Sequence, residues 1–404
     1  MRILKRLLKI FFRTALVVVG IIVLTLLSFF IELKISKRLP SPTGKYQVGR
    51  TSFQLTDTTR LDSLSPQPFS KRKLMVWIWY PSNKLHSSST VDYIPKEWSE
   101  ALNEKRGVLM NSLFARDASK IHAHSFQDAK ISDDQINYPV LLMKSGIGAM
   151  ATDYTSIAEE LASHGYIVVG TDAPYSTWLL RFPNGRLISR TNEGNPGESA
   201  TNSGGNNNIL DRLVRIWSDD AHFVLNYLEQ LNTSDSSNQF FKKLNLNSVG
   251  VFGHSFGGAT AAQFCMNDIR CKAGVDMDGA PYGTVIQSGL NKPFMFLLAD
   301  HSSETDSVSL QIKSNINAIH KSSPENHYWI YLEGAQHFNF SDLPFQKEYL
   351  ISRLSGATGS IGDKHGLEII SSCLLSFFDE HLKGQISTKI KDLNKKYHEI
   401  KFVK

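Results

Sequence analysis

Apolar runs with strand character alternate along the chain with segments whose apolar positions recur at helical spacing. The first clear example begins at Tyr138: residues 139–143 have the pattern of a buried strand, 154–163 of an amphipathic helix stopped by Gly165, and 166–170 of the next strand. A strand, a helix and a second strand in this order form a crossover unit. The pattern therefore predicts a parallel sheet with helices on its faces.

The alternation continues towards the C-terminus. Short apolar runs predict further strands, at 73–80, 273–277, 292–298 and 328–332. Amphipathic spacing predicts long helices, at 209–231 and 367–382. Residues 39–73 are turn-rich and are expected to be a connector with one early strand, while 82–137 hold possible helices near 96–105 and 106–115. We expect the α/β class, with a mostly parallel central sheet flanked by helices, in one catalytic domain over 39–388.

The alternation is interrupted near 174–208. The pair Asn184-Gly185 is a strong hairpin signal, and a low-complexity stretch of Ser, Gly and Asn follows it. An insertion between strands of such a sheet lies at the mouth of the site. We expect a lid-like element there, with a solvated loop as the alternative.

Residues 14–31 are uncharged and almost entirely apolar. At about 1.5 Å per residue, a helix of this length nearly crosses the hydrocarbon core of a bilayer. Five cationic residues precede the run and three follow it closely, which favours a cytoplasmic N-terminus and an extracytoplasmic catalytic domain. A cleaved signal peptide is the competing interpretation, but it usually has a shorter apolar region and a small-residue cleavage site. We expect residues 1–38 to be an uncleaved, single-pass membrane anchor.

The net charge of +6 comes from this N-terminal segment. Residues 1–38 hold eight Lys or Arg and one acid, which leaves 36 basic and 37 acidic residues in the rest. The body of the chain has no basic excess of the kind that binds nucleic acid, so no nucleic-acid partner is expected. Residues 389–404 carry six lysines and are expected to be a solvated basic tail.

The strongest chemical motif lies within 248–260. There the sequence has the form G-x-S-x-G with Ser255 at its centre, strand-forming residues before it and helix formers after it. In such a nucleophile elbow the serine backbone is strained, and the close approach of strand and helix leaves room only for glycine two residues before and after it. The motif therefore predicts that Ser255 is a catalytic nucleophile.

A serine hydroxyl needs an imidazole to take its proton and a carboxylate to orient that imidazole. In the α/β-hydrolase arrangement the acid and then the histidine follow the serine, each after a later strand. His337 lies directly after the strand predicted at 328–332 and is the candidate base. Asp278 and Asp300 both end predicted strands, and the residue pattern leaves the acid open between them.

The attack of serine on an ester creates an oxyanion, which two backbone N–H groups stabilise well. One donor is expected from Phe256, the residue after the nucleophile, and the other from the loop after an earlier strand. Residues 145–148, Ser-Gly-Ile-Gly, have the pattern of that loop, and the Ile147 N–H is the predicted donor. A plain glycine turn is the alternative.

The cysteines suggest no metal chemistry. Cys265 and Cys271 bracket a short loop, and a local disulfide outside the cytoplasm and two ordinary buried thiols fit the sequence equally well. No Cys/His spacing resembles a zinc site, so neither a metal nor a cofactor is expected.

The octapeptide Gly253-His-Ser-Phe-Gly-Gly-Ala-Thr260 is the most specific of several family-like segments. The others include Trp77-Ile-Trp-Tyr-Pro81, Gly146-Ile-Gly-Ala149, Leu161-Ala-Ser-His-Gly-Tyr166, Val275-Asp-Met-Asp-Gly279 and Phe377-Phe-Asp-Glu-His-Leu382. Together they span about residues 40 to 385, and they resemble the group II platelet-activating-factor acetylhydrolases, the lipoprotein-associated phospholipase A2-like enzymes, and their bacterial relatives.

In that family the acid follows the strand next after the nucleophile unit, so the resemblance selects Asp278 over Asp300. It also implies calcium-independent hydrolysis of short or oxidised sn-2 acyl groups of phospholipids, without a metal. One segment departs from the family, whose oxyanion loop usually reads Ser-His-Gly-Leu-Gly where this chain has Lys-Ser-Gly-Ile-Gly at 144–148. A backbone donor survives that change, but a role of the histidine side chain does not.

The combined expectation is a membrane-anchored serine esterase acting on a lipid ester. Bacterial relatives with this pattern also include general esterases and polyester hydrolases, so a broad carboxylesterase is one alternative. A non-catalytic binding protein of the same fold is another.

Overall fold

One mixed sheet organises the described part of the chain. The computed structural model describes residues 2–83, 90–113, 116–197, 208–234, 236–323, 325–346, 356–385 and 389–403. The strands are β1 (Lys37–Arg38), β2 (Gln47–Leu61), β3 (Lys71–Ser82), β4 (Ile121–His122), β5 (Phe126–Gln127), β6 (Tyr138–Lys144), β7 (Ile167–Thr171), β8 (Leu179–Arg181), β9 (Leu187–Ser189), β10 (Leu244–His254), β11 (Cys271–Met277), β12 (Phe294–Ala299), β13 (His327–Leu332) and β14 (Ile400–Phe402). In these residues, ten strands join the main sheet in the order β14-β13-β12-β11-β10-β6-β7-β3-β2-β5.

Helices cover both faces of the sheet. They are α1 (Arg2–Lys34), α2 (Lys96–Leu113), α3 (Thr155–Ser163), α4 (Asn208–Thr233), α5 (Phe256–Asn267), α6 (Val285–Ser288), α7 (Ser307–His320), α8 (Leu343–Gln346) and α9 (Asp363–Lys383). Short 3-10 helices lie at Ala118–Lys120, Ala151–Tyr154, His337–Phe340 and Ile390–Lys395. Apolar residues of α3 and α9 pack on one face of the sheet, and those of α5, α7 and the second half of α4 on the other. This two-sided burial explains why β6 is apolar at nearly every position rather than alternating.

The middle of the sheet is parallel, as the sequence pattern predicts. β7, β6, β10, β11, β12 and β13 all run in one direction, while β3 and β14 join antiparallel on the two sides. The carboxyl ends of β6, β10, β11 and β13 therefore meet at one edge. Ligands of open α/β sheets bind at this edge.

The base of α1 is part of the catalytic domain. Residues 3–31 are largely exposed, whereas Leu33 is buried. The buried Arg116 donates to the Glu32 carbonyl and carboxylate, at 2.7 and 2.6 Å, and to the Ile35 carbonyl. β1 then pairs with β4. Residues on both sides of the expected boundary at residue 38 are therefore packed against the rest of the chain. Beyond it, β2 is a long strand paired with β3, longer than the single early strand expected there.

The described part of the insertion is a hairpin. β8 and β9 pair antiparallel across the Asn184-Gly185 turn, and Gly185 has φ 83°, which explains the glycine. Residues 198–207 of the expected lid-like stretch lie outside the described residues. α2 joins the two helices expected near 96–105 and 106–115 across a kink at Gly107, and 114–115 of the second are not described.

The C-terminal segment differs from the expected solvated tail. Ile390 and Leu393 are buried, and β14 extends the sheet by pairing with β13. Only about a third of the residues there are apolar, and the lysines between them obscure this pattern in the sequence.

Cys265 and Cys271 are both buried free thiols, with their Sγ atoms 2.8 Å apart. The pair joins the end of α5 to the start of β11, so it links the helix after Ser255 to the strand before Asp278.

Candidate active site

Ser255 lies between β10 and α5 in a strained turn. Its backbone has φ 56° and ψ −126°, a region that residues with a side chain seldom occupy. A Cβ on Gly253 would lie 2.2 Å from the Gly257 carbonyl oxygen, and one on Gly257 would lie 2.3 Å from the Lys144 carbonyl oxygen. The spacing of the glycines is thus set by backbone contacts on both sides of the serine.

Asp278 and His337 come together at the carboxyl edge of the sheet. Asp278 follows β11 with φ 55°, and its Oδ2 lies 2.7 Å from His337 Nδ1. Its Oδ1 accepts from the Ala299 N–H at 2.7 Å. Burial acts to raise the pKa of Asp278, but hydrogen bonds from His301 and His337 outweigh it and hold that pKa well below its usual value. The carboxylate is therefore ionised and fixed.

Asp300, the other candidate for the acid that orients His337, bonds within its own loop. Its Oδ1 accepts from the Ser302 N–H and hydroxyl, at 3.3 and 2.5 Å, in a local turn. The structure thus brings His337 to Asp278 and not to Asp300.

A second histidine contacts the same acid. His301 Nε2 lies 3.0 Å from Asp278 Oδ1, and His301 Nδ1 lies 2.8 Å from Glu304 Oε1. An ionised carboxylate only accepts, so both ring nitrogens of His301 must carry hydrogen and the ring is cationic. The hydrogen bond to Asp278 raises the pKa of His301 to about 9, in agreement with this assignment. Sequence reasoning missed this contact, because the residue precedes a helix that the pattern did not reveal.

Ser255 and His337 share two cavities, of about 350 and about 340 Å³, which meet at the serine. Within the described residues, neither the Ser255 hydroxyl nor His337 Nε2 has a hydrogen-bond partner. Such nucleophile–base contacts are often open in ligand-free enzymes. An ester with its carbonyl carbon at Ser255 can place its acyl and alcohol parts in different cavities.

The two predicted oxyanion donors border these cavities. Phe256 opens α5, where the first N–H groups of a helix have no partner within it. Among the described residues, the N–H groups of Ile147 and Phe256 donate no hydrogen bond. The Ile147 loop is held on its far side, where the Gly148 N–H donates to the Ser176 carbonyl at 3.0 Å and the Trp178 N–H to the Gly148 carbonyl at 2.8 Å.

A buried chain of hydrogen bonds joins that loop to His337. The Gly146 N–H donates to the Tyr154 hydroxyl at 3.0 Å, and that hydroxyl lies 2.8 Å from His254 Nδ1. His254 Nε2 lies 2.9 Å from the His337 carbonyl oxygen, which only accepts. The Tyr154 hydroxyl must then donate to Nδ1, and His254 carries its hydrogen on Nε2. Burial, helped by the charge of His337, lowers the pKa of His254 to about 3, so the ring stays neutral.

The described residues hold no group of three or more His, Cys, Asp and Glu side chains arranged to bind a metal ion.

The chain is similar to known ester hydrolases over most of its length. The family model for platelet-activating factor acetylhydrolase, isoform II, matches residues 31–173 and 218–399, which is most of the chain. The chain belongs to this family. The match includes Ser255, Asp278 and His337 and omits the whole insertion at 174–208, with the β8–β9 hairpin.

Curated relatives support the same membership. The chain is 26% identical to a probable 1-alkyl-2-acetylglycerophosphocholine esterase of Arthroderma benhamiae, over 90% of this chain and 93% of that protein. It is 22% identical to the platelet-activating factor acetylhydrolase of Canis lupus familiaris, over 85% of this chain and 77% of that protein.

A solved ferulic acid esterase from Streptomyces cinnamoneus has the same fold, with a TM-score of 0.74, 24% identity, and coverage of 91% of this chain and all of that one. The fold is thus esterase-like α/β, and the chain is by family a carboxylic ester hydrolase.

Proposed function

We propose that this family member is a serine esterase that works through an acyl-enzyme. Ser255 attacks the ester carbonyl while His337 takes its proton, and His337 then protonates the leaving alcohol. Asp278 holds the His337 ring through Nδ1, which leaves Nε2 for the serine, and stabilises the cation that forms. Water repeats the sequence to release the acid.

A single observation carries this proposal: the Asp278–His337 hydrogen bond of 2.7 Å lies beside the cavities that Ser255 lines. An ionised, buried carboxylate bonded to a histidine beside a cavity costs free energy of folding and is typical of active sites. The strained backbone of Ser255 has a cost of its own and is also typical of active sites.

The N–H groups of Ile147 and Phe256 are proposed to hold the oxyanion. Both N–H groups lack hydrogen-bond partners among the described residues. The Phe256 N–H also lies at the first residue of α5, where the helix dipole favours negative charge. Neither donor depends on a side chain, so the Ser145 departure from the family loop leaves both in place.

The proposed substrates are phospholipids with a short or oxidised sn-2 acyl group. The names of the relatives, an acetylglycerophosphocholine esterase and a platelet-activating factor acetylhydrolase, support this substrate class. A broad carboxylesterase would use the same residues on soluble short-chain esters, and the mostly apolar walls of both cavities suit such esters as well.

We further propose that α1 anchors the enzyme in a membrane, with its N-terminus in the cytoplasm and the catalytic domain outside. The helix is long and apolar enough to span a bilayer, a property that a signal sequence shares. Support for retention comes from Leu33 and Arg116, because cleavage after the helix would remove a packed side chain and expose a buried guanidinium. The intact mass of the membrane-extracted protein tests this: a mass lacking residues 1–38 would refute it.

Turnover by the full chain in detergent tests the chemistry. Ser255→Ala and His337→Ala are each expected to lower kcat by at least about 10³-fold with little change in melting temperature. Near-normal turnover in either variant would mean that the triad is misassigned. Absence of Ser255 labelling by a fluorophosphonate probe would favour the non-catalytic alternative.

Three substrates then separate the two esterase assignments: an sn-2-acetyl phosphatidylcholine, a long-chain phosphatidylcholine and p-nitrophenyl butyrate. Fast cleavage of the acetyl phospholipid and slow cleavage of the long-chain one is expected. Cleavage of p-nitrophenyl butyrate alone would preserve the mechanism and reject the phospholipid.

A further inference from the structure

Two cationic side chains lie over the ring of Trp178, and a third lines the larger cavity together with Trp178. Lys105 Nζ lies 5.0 Å from the centre of the Trp178 ring, and Arg190 Cζ lies 4.6 Å from it. Arg106, next to Lys105 on α2, lines that cavity together with Trp178 and Ser255. We call Lys105, Arg106 and Arg190 the cationic rim.

The rim has no ion-pair partner in the described part of the chain. Lys105 Nζ donates to two uncharged acceptors, the Trp178 carbonyl and the Ser189 hydroxyl, each at 2.7 Å. Arg106 Nη2 donates only to the side-chain oxygen of Gln346, at 3.3 Å. Two further donors, Arg106 Nη1 and Trp178 Nε1, are buried and have no described partner.

One buried acid attracts Arg106 through space but forms no ion pair with it in the described part of the chain. Asp153 lines the same cavity, but its Oδ2 accepts from the Met150 N–H at 2.8 Å and its Oδ1 from the Gln346 amide at 2.7 Å. Burial raises the pKa of Asp153, which disfavours its charged form. Burial, and then the charge of Arg190, lower the pKa of Lys105, as expected of cations held together without an anion.

Lys105 and Arg190 are exposed and solvated, but the buried, unpaired donors Arg106 Nη1 and Trp178 Nε1 are costly in a folded protein unless a ligand supplies an acceptor. Guanidinium groups bind the oxygens of a phosphate through several N–H groups at once, more strongly than they bind neutral acceptors. In a glycerophospholipid the phosphate is only a few bonds from the sn-2 ester. One molecule can therefore place its ester at Ser255 and its phosphate at this wall.

We propose that the cationic rim binds the phosphodiester of the substrate and so gives this enzyme its preference for phospholipids over uncharged esters. The proposal rests on the proposed function, because it places the sn-2 ester at Ser255. It assigns Arg106 and Arg190 as specificity residues and Trp178 as the surface on which Arg190 lies.

The test compares two soluble monomeric substrates with the same short sn-1 and sn-2 chains. One carries phosphocholine, and the other is the matching diacylglycerol without it. For the full chain in detergent, kcat/KM is measured for both, and their ratio is the readout. Arg106→Gln and the exposed Arg190→Gln are each expected to lower the ratio of phospholipid to diacylglycerol turnover by about 10- to 100-fold. Arg106→Lys should recover part of it.

Lys272→Gln is the charge-matched control. Lys272 is exposed near the N-terminal end of β11, whereas the catalytic residues lie at the carboxyl ends of the strands, so the ratio should stay unchanged. An unchanged ratio in both arginine variants would overturn the proposal while leaving the esterase assignment intact. The proposal would also be overturned if the arginine variants lost turnover on anionic vesicles but not on monomeric substrates, because the rim would then act by attracting the membrane surface. If the unmodified enzyme cleaves neither matched substrate above the Ser255→Ala blank, the proposed function itself fails.

Discussion

Replacing Tyr154 by phenylalanine tests whether the buried chain between the oxyanion loop and His337 contributes to catalysis. The substitution keeps the ring, which is almost fully buried, and removes one oxygen. That oxygen accepts from the Gly146 N–H and donates to His254 Nδ1. Both partners lose their described hydrogen bond and neither gains a new one.

The expected magnitude follows from the two groups left unpaired. Each buried polar group without a partner costs about 1–3 kcal/mol, so a clear drop in stability is expected. The catalytic effect acts through Gly146, whose peptide positions the next N–H, that of Ile147. Removing an oxyanion donor outright costs about 10²- to 10³-fold in kcat. Loosening one should cost less, about 10- to 100-fold, with KM nearly unchanged because the cavity walls remain.

Tyr80→Phe supplies the matched control. Tyr80 is equally buried, and its hydroxyl donates to the Ala129 carbonyl at 2.7 Å and accepts from Gln239 at 3.2 Å, away from the site. Urea unfolding and steady-state kinetics with p-nitrophenyl butyrate are measured for both variants. A similar loss of stability with a loss of kcat only in Tyr154→Phe is expected. Equal kcat in the two variants would show that the chain is purely structural.

Three other predictions follow from the site and its surroundings. Asp278→Asn should lower kcat by about 10³- to 10⁴-fold and Asp300→Asn only slightly, and the reverse result would transfer the acid role. Protein whose catalytic domain lies outside the cytoplasm should show one free thiol on unfolding instead of three, because Cys265 and Cys271 lie in contact and can be oxidised to a disulfide there. Reduction should then remove about 2 kcal/mol of stability, and three thiols would contradict this. The pKa of His301 is raised to about 9 from a usual value near 6.5, so its ion pair contributes fully below about pH 6.5 and is lost as the pH rises through about 9. His301→Gln should flatten the alkaline fall in urea midpoint, and an unchanged profile would contradict the assignment.

The sequence predicted the parts of the fold that follow from local pattern. The strands β6, β7 and β11 to β13 lie within a residue or two of the expected runs, because strands covered on both faces are apolar throughout. β14 escaped prediction because its lysine-rich surroundings hide a three-residue edge strand. The helix α7 escaped as well, since its apolar positions are few among polar residues and it is stabilised by packing against α6 and β13.

The residues of the site likewise differ in how far local sequence predicts them. Ser255 lies in a local motif and could be found from its neighbours alone. The choice between Asp278 and Asp300 depends on a contact across 59 residues of sequence, which no local pattern encodes, and only the family resemblance resolved it beforehand. The contact between Tyr154 and His254, 100 residues apart, had no family signal to reveal it. The available hint was the polar side chain of His254 at the buried C-terminal end of β10.

The loop proposed to supply an oxyanion donor is held in place without the histidine side chain that is usual in the family. Ser145 occupies that position, and its hydroxyl is buried with no partner among the described residues, so it does not hold the loop. The loop is held instead by Tyr154 at Gly146 and by Trp178 at Gly148. The ring of Trp178 also carries two members of the cationic rim. A substrate phosphate bound at the rim would therefore also hold Trp178, and through it the loop at Gly148. Binding energy from a remote part of a substrate can in this way raise kcat instead of only lowering KM. A truncated ester without the phosphate should then lose kcat as well as affinity.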